Sequence, residues 1–168
     1  MRQIAIQALS EQAFRRFGAF QDLLDDASLA QASVNPRGFF ADVVKMEFGG
    51  SLQPSVSVNS LRRDEKMLVR FLEFHRHTCE GILPIDGDVV LFVGIPARGK
   101  LTPDTLEAFR VPKGTFVRLD PLITHGVLFP VDETAHALCL LPARTFANDM
   151  EARLLTEEEQ VELVFPNG

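Results

Sequence analysis

The stretch MLVRFLEFHRH, residues 67–77, has the two-residue side-chain period of a β-strand. On a strand every second side chain leaves the same face of the sheet, so Glu73, His75 and His77 would share one face. Glu80 follows three residues later, and a turn or bulge in between would bring its carboxylate to the same side. The stretch therefore predicts a strand that carries several metal-ligating side chains at its end.

Short apolar runs bounded by turn residues recur along the rest of the chain. The predicted strands are residues 3–9, 39–48, 54–59, 106–111, 115–119, 127–131 and 136–141, together with a hairpin over 82–93 around Asp86-Gly87-Asp88. Ser10 is a natural N-cap for one short helix that ends at Gly18, and residues 23–38 are expected to form a surface loop with a fragment of helix. This pattern predicts a single domain, residues 1–168, built as an antiparallel β-barrel or sandwich with one N-terminal helix.

The net charge of −6 is concentrated in residues 149–168, which hold six acidic residues and one arginine and are interpreted as an acidic C-terminal tail. The remainder is nearly neutral, so we expect no nucleic-acid partner. No apolar run approaches the length of a transmembrane helix, and we expect no membrane partner. Two cysteines are too few for a disulfide framework, which favours a cytoplasmic protein with reduced thiols.

Three of the four histidines, His75, His77 and His125, are candidate ligands of a divalent metal, with Glu80 as a fourth ligand. Imidazole and carboxylate groups suit zinc, nickel, manganese or iron, and spacing does not choose among them. Glu73 lies on the same predicted face and competes with Glu80 for a ligand or acid–base role. The alternative interpretation is that these histidines are partly exposed polar residues at strand ends.

Asn59, Arg110 and Arg118 are the candidates for binding a substrate. Either arginine could hold a carboxylate through two parallel hydrogen bonds, although surface charge is the ordinary role of each. His136 alternates with leucines on one face of a predicted strand, which favours a core histidine over a ligand.

Residues 4–14, IAIQALSEQAF, followed by Phe17-Gly18, resemble the opening of the ureidoglycolate lyases, once called ureidoglycolate hydrolases. The resemblance covers most of the chain and is weakest in residues 23–38 and 149–168. It continues through residues 56–59, 73–75 and 106–114, through Pro84 with Gly87, and through His125 with Leu128-Phe129.

This resemblance implies a cupin-type β-barrel or jelly roll, usually a homodimer, that cleaves ureidoglycolate into glyoxylate and urea during allantoin and purine degradation. It also implies a cytosolic enzyme with a divalent metal, nickel being the reported preference of the family. By position, His75 and His125 match the family's histidines. The metal would bind the hydroxyl and carboxylate groups of this small-molecule carboxylate substrate, and Glu80 or Glu73 would move the proton.

The chain departs from the family on both sides of His125. The family commonly has an aromatic residue and a second histidine where this chain has Thr124 and Gly126, whereas His77 and Glu80 make it more similar to a general metal cupin. Two alternatives therefore stay open. One is a metal cupin that acts on another small hydroxy or keto acid or on a sugar, and the other is a non-catalytic cupin that binds a small ligand.

Overall fold

The computed structural model describes residues 1–35, 38–49 and 53–166, and this part of the chain is mainly β-structure. Its strands are β1 (Arg2–Ala8), β2 (Gly18–Asp22), β3 (Pro54–Arg62), β4 (Met67–Val69), β5 (Phe71–His75), β6 (Glu80–Pro84), β7 (Val89–Val93), β8 (Glu107–Val111), β9 (Thr115–Leu119), β10 (Phe129–Pro130), β11 (Thr134–Pro142), β12 (Met150–Leu154) and β13 (Val161–Val164). Its α-helices are α1 (Glu11–Phe14), α2 (Asp26–Ala32) and α3 (Thr145–Asn148), and Pro103–Thr105 forms a 3-10 turn. The longest helix in the described part of the chain is α2, with seven residues. None of the helices in this described part is long and apolar enough to span a bilayer.

Two sheets enclose the core. One has six strands in the order β10-β7-β8-β1-β13-β4, and the other has five in the order β2-β9-β6-β11-β3. β5 and β12 form a separate two-stranded ladder. Most neighbouring strands are antiparallel, but β1 runs parallel to both β8 and β13. This architecture confirms the predicted mainly β, cupin-type barrel.

The core lies between the two sheets. Val117 and Ala137 on the five-stranded sheet belong to the same buried cluster as Leu91 and Phe109 on the six-stranded sheet. β7 is apolar at all five positions because both of its faces are buried, and Phe92 belongs to a second cluster behind the sheet. Burial of this apolar area is the main stabilising contribution to the barrel.

Helix α1 begins as the sequence predicts. The Ser10 hydroxyl accepts a hydrogen bond from the Ala13 amide at 3.4 Å, which satisfies one of the free amides of the first turn. Phe14 at the end of this single turn is fully buried, with its ring centroid 5.4 Å from that of Phe109. The helix therefore closes one end of the barrel with an aromatic side chain.

Gly18 does not end this helix but opens β2. Its φ angle is +150°, and a Cβ atom built at this position would lie 1.8 Å from the carbonyl oxygen of Arg118 on β9. Only glycine allows the two backbones to approach this closely.

The predicted hairpin over residues 82–93 is wrong, because β6 belongs to the five-stranded sheet and β7 to the six-stranded one. Asp86 and Asp88 stabilise this crossing by accepting backbone hydrogen bonds from the amides of His136 and Lys113. His136 is also not a core residue: its ring is exposed and its Nδ1 lies 2.7 Å from Asp86.

The strand predicted over residues 39–48 is absent: these residues form turns and bends, and only Phe48 makes a bridge, with Thr78. This segment is held to the barrel by Cys79, whose thiol bonds both to the amide and to the carbonyl of Glu47 at 3.0 Å. The Cys79 amide also donates to the Glu47 carbonyl at 3.3 Å, so one short backbone contact and one thiol hold a segment that forms no strand.

The acidic segment 149–168, interpreted from the sequence as a tail, forms β12 and β13 in its described part. β13 lies between β1 and β4, and β12 pairs with β5. The predicted continuous strand over residues 67–77 is divided at Arg70 because its two halves, β4 and β5, pair with these different partners.

Candidate metal centre

Three separate segments bring His75, Glu80 and His125 together. His75 is the last residue of β5, Glu80 is the first of β6, and His125 follows β9 in an irregular segment. The segment with His125 pairs with β5 through two 2.8 Å hydrogen bonds between the backbones of Glu73 and His125. Glu80 shares its face of β6 with the core residue Ile82, so its carboxylate enters the barrel.

The ligand atoms of these three residues lie within 4.8 Å of one another. The Oε2 atom of Glu80 is 2.9 Å from Nε2 of His125 and 3.3 Å from Nε2 of His75. All three side chains are at least nine-tenths buried, and the ring centroids of the two histidines are 5.2 Å apart. The arrangement is compact enough for one ion to contact all three atoms.

The outer nitrogens of both rings are held by backbone carbonyl oxygens. Nδ1 of His75 donates to the Asp149 carbonyl at 3.1 Å, and Nδ1 of His125 donates to the Ile123 carbonyl at 2.8 Å. Because a carbonyl only accepts, these contacts place a proton on each Nδ1 and aim each Nε2 at Glu80. This is the orientation that metal-binding histidines commonly have.

The cluster favours a positive charge at its centre. Burial alone would raise the pKa of Glu80, but the close approach of the two imidazoles, above all that of His125, outweighs burial and lowers that pKa to about 2. Burial alone would lower the pKa of His125, yet attraction to Glu80 and Glu73 raises it to about 9. A proton or a metal ion between these groups satisfies the same electrostatic demand.

The side chains present fit a divalent metal. Nε2 of His75, Nε2 of His125 and Oε2 of Glu80 are buried atoms without a hydrogen-bond partner of suitable geometry in the described part of the protein. Buried polar atoms are rarely left in this state unless water or an ion contacts them. Two imidazole nitrogens and one carboxylate oxygen form a common donor set for zinc and non-haem iron, and manganese and nickel accept the same groups.

Glu73 lies beside this cluster without joining it. Its Oε1 atom is 3.9 Å from Nε2 of His125, and its side chain is only 12 % exposed. Burial raises the pKa of Glu73, and the charge of His125 only partly offsets that increase. The carboxylate is therefore placed to exchange a proton with a group bound at the centre.

The structure does not bring His77 to the cluster. Strand β5 ends at His75, and Arg76 and His77 form a bend, so the two-residue alternation stops there. The Asp149 carboxylate accepts hydrogen bonds from the amides of both bend residues at 3.0 Å. His77 itself is exposed. The cluster thus contains two histidines and Glu80, whereas three histidines and Glu80 were expected.

The two candidate arginines are engaged elsewhere. Arg110 pairs with Asp88 on the surface, and Arg118 pairs with Asp120 at 2.7 Å. Arg118 lies opposite Gly81 on β6, so it leaves the sheet on the face away from Glu80. Neither guanidinium is directed at the cluster.

Asn59 lies on the inward face of β3, opposite Ala137 of β11. Its Nδ2 atom donates to the Cys139 thiol at 3.1 Å. Burial, together with the charge of Glu80, raises the pKa of this Cys139 thiol. Asn59 remains exposed, so an incoming ligand can reach it.

Sequence reasoning missed the groups that orient the two rings. The carbonyls of Asp149 and Ile123 act through the backbone, and no residue type signals that role. Phe146 on α3 was also missed: its ring lies edge-on to His75 at a centroid distance of 6.0 Å while 52 % of the residue stays exposed. It forms part of the surface over the cluster.

A family model described as ureidoglycolate lyase matches residues 1–162 of the chain. No individually curated protein shows significant similarity to the sequence.

Several solved structures share part of the fold at low sequence identity. RmlC from Streptococcus suis in complex with dTDP-D-xylose is 14% identical, with 54% of this chain and 44% of that chain covered and a TM-score of 0.41. A mutant of Bacillus subtilis oxalate decarboxylase is 16% identical, with 62% of this chain and 24% of that chain covered and a TM-score of 0.42. A dTDP sugar isomerase from Desulfovibrio desulfuricans G20 is 11% identical, with 67% and 68% covered and a TM-score of 0.48. The chain therefore spans less than half the length of the first two proteins.

Proposed function

The chain belongs to the ureidoglycolate lyase family, and from this premise we propose that it cleaves ureidoglycolate into glyoxylate and urea. The observation that carries the proposal is the convergence of three buried ligand atoms, on His75, Glu80 and His125, that have no other partner of suitable geometry among the described residues. The family also implies a cytosolic enzyme of allantoin and purine degradation, and this assignment belongs to the same proposal.

His75, Glu80 and His125 would hold a divalent metal, for which nickel is the preference implied by the family. Zinc, manganese and iron accept the same donor atoms. Three protein ligands leave coordination positions open for a substrate, as in catalytic metal sites. When bound, the metal supplies a Lewis acid that lowers the pKa of a substrate hydroxyl group.

Ureidoglycolate carries a carboxylate, a hydroxyl and a urea nitrogen on one carbon. Cleavage removes the hydroxyl proton, forms the carbonyl of glyoxylate, breaks the carbon–nitrogen bond and returns a proton to the urea nitrogen. We assign the proton transfer to Glu73, because it lies 3.9 Å from His125 in a largely buried position, and we assign Glu80 as a ligand. One carboxylate can take the proton from oxygen and deliver it to nitrogen, so the reaction needs no net proton.

Asn59 is our candidate for substrate binding. Its amide lies on the inward face of β3, donates to the Cys139 thiol at 3.1 Å, and belongs to an exposed residue. An amide can donate to a substrate carboxylate and accept from its urea group. Arg110 and Arg118 are held by surface carboxylates and receive no such role.

We also propose that the protein is a homodimer and that β3 forms part of the interface. In the described part of the chain β3 is an edge strand, and residues 54–61 carry no charge. Val56 and Val58 are 63 % and 60 % exposed on its outer face. A long, uncharged edge with exposed valines favours pairing with another strand, and a two-fold axis would let β3 pair with its own copy.

Sedimentation of Val58→Lys tests the interface. We expect the variant to be monomeric at concentrations at which the wild type is dimeric. A monomeric wild type, or a dimeric Val58→Lys protein, would refute this assignment.

The proposed reaction is tested on protein stripped with a chelator and reloaded with nickel, zinc, manganese or iron. We expect metal-dependent release of glyoxylate from ureidoglycolate, lost in His125→Ala and retained in the matched variant His77→Ala. If ureidoglycolate is inert with every metal while another hydroxy acid is converted, the substrate assignment is wrong. Tight binding of a small acid without turnover would favour a binding protein instead.

A further inference from the structure

Asp149 contacts the end of β5 and the bend that follows it through three different acceptor atoms. Its backbone carbonyl accepts from Nδ1 of His75 at 3.1 Å. Its two carboxylate oxygens accept from the amides of Arg76 and His77, each at 3.0 Å. One residue, more than 70 positions away in the sequence, thus fixes both the ring of a candidate ligand and the bend that follows it.

The carboxylate satisfies amides that the sheet leaves free. The ladder between β5 and β12 ends at the pair His75 and Met150, immediately after Asp149. Beyond that pair the amides of Arg76 and His77 have only the Asp149 side chain as acceptor among the described residues. Both bonds run from a backbone amide to a charged carboxylate, so they hold the bend and the Asp149 backbone in one fixed relation.

The two histidines of the cluster differ in how they are oriented. The carbonyl that holds His125 belongs to Ile123, two residues away in the same segment. The carbonyl that holds His75 belongs to the junction of α3 and β12, and it lies in place only when β12 is docked on β5. The orientation of the His75 ring therefore depends on a tertiary contact. A substitution at that contact can change the orientation while both histidine side chains stay intact.

We propose that Asp149 is a positioning residue of the metal centre, whose carboxylate fixes the backbone carbonyl that orients His75 and selects its Nε2 for the metal. The inference rests on the proposed function only in taking His75 as a ligand. Partners of this kind typically change metal affinity about 10–100-fold when they are removed. Asp149 contacts neither the metal ligand atoms nor the substrate, and its effect is indirect.

The test compares Asp149→Ala and Asp149→Asn with Asp25→Ala. Asp25 is a matched control because its carboxylate also accepts two backbone amides, those of Ala27 and Ser28 at the start of α2. The measurements are the dissociation constant for Ni²⁺ by competition with a chromogenic chelator, and the thermal midpoint of each metal-free variant. We expect the affinity for Ni²⁺ to be at least about tenfold weaker in Asp149→Ala. The loss should be smaller in Asp149→Asn, which keeps one acceptor oxygen. Asp25→Ala should bind Ni²⁺ with wild-type affinity.

A second measurement does not depend on metal binding. Long-range ¹H–¹⁵N spectra of the metal-free protein, recorded where the His75 ring is neutral, report which nitrogen carries the proton. We expect the Nδ1–H form in wild type and Asp25→Ala, and a mixture of both forms in Asp149→Asn. If the wild type binds no metal, the proposed function fails and this spectrum alone decides the role of Asp149.

Wild-type affinity and an unchanged tautomer in Asp149→Asn would overturn the proposal. An equal loss of affinity in Asp25→Ala would also overturn it, because the effect would then reflect general loss of stability. If Asp149→Ala does not fold, Asp149→Asn carries the test by itself.

Discussion

Glu80→Gln tests the electrostatics of the centre in the metal-free protein. The substitution keeps the shape of the side chain but removes the charge that faces the buried His125 at 2.9 Å. Glu80 and Glu73 together outweigh burial and raise the His125 pKa from 6.5 to about 9. Each pKa unit corresponds to about 1.4 kcal/mol, so the two carboxylates, net of the cost of burial, contribute about 3 kcal/mol to the free energy of unfolding, with Glu80 as the larger contributor.

The sign of the pH dependence follows from the two shifts. The raised pKa of His125 gives stability that is complete below about pH 6.5 and is lost as the pH rises through about 9. The lowered pKa of Glu80 gives stability that is complete above about pH 4.5 and is lost as the pH falls towards about 2. The variant should therefore be most destabilised, relative to wild type, between these limits.

The assay is urea unfolding of chelator-treated protein followed by circular dichroism, since the chain has no Trp or Tyr for fluorescence. Near pH 6 we expect Glu80→Gln to lose about 3 kcal/mol, equivalent to a thermal midpoint lower by about 6–12 °C. Near pH 10 the difference should shrink. Glu157→Gln, which removes a carboxylate that is exposed on the surface, should change the free energy by less than about 0.5 kcal/mol. A loss for Glu80→Gln that is the same at both pH values would refute the reasoning.

Three further predictions concern the mechanism and the fold. Glu73→Gln should retain metal but lower kcat by about 10²–10⁴-fold, because it removes the proposed proton carrier. Equilibrium dialysis measures the bound metal and glyoxylate release measures kcat. An unchanged kcat would exclude this role for Glu73. Gly18→Ala should destabilise strongly in thermal unfolding, because its Cβ would lie 1.8 Å from the Arg118 carbonyl; a wild-type midpoint would contradict the close approach of β2 to β9. Phe109→Ala should cost about 3–5 kcal/mol in urea unfolding, because Phe109 is fully buried against Phe14, and a loss below about 1 kcal/mol would be inconsistent with that packing.

The types of ligand at the candidate site could be predicted from the sequence, but the exact set of residues that form the site could not. His75, Glu80 and His125 were expected as ligands, and the structure brings them together. His77 was expected with them because the strand period was extended two residues too far. The bend that stops it depends on the Asp149 carboxylate, which lies 72 residues from His77 in the sequence, so no local pattern contains that information.

The fold shows the same division between local and non-local information. The Ser10 cap and the strand over residues 115–119 follow from local patterns and are present in the structure. The turn residues Asp86-Gly87-Asp88 were recognised correctly, but the sheet that each flanking strand joins is decided by partners far along the chain. Likewise, the charge of residues 149–168 masked two strands. In β13 the half-buried Glu162 lies between the buried residues Val161 and Leu163, whereas β12 leaves its apolar residues exposed and is defined by its pairing with β5.

The most direct test of the centre is the metal content of purified wild type, His77→Ala and His125→Ala after reloading and removal of free metal. We predict close to one divalent ion per chain in wild type and in His77→Ala, whose exposed ring lies outside the cluster, and almost none in His125→Ala. A wild type that cannot be loaded, or a loss of metal in His77→Ala equal to that in His125→Ala, would contradict the account.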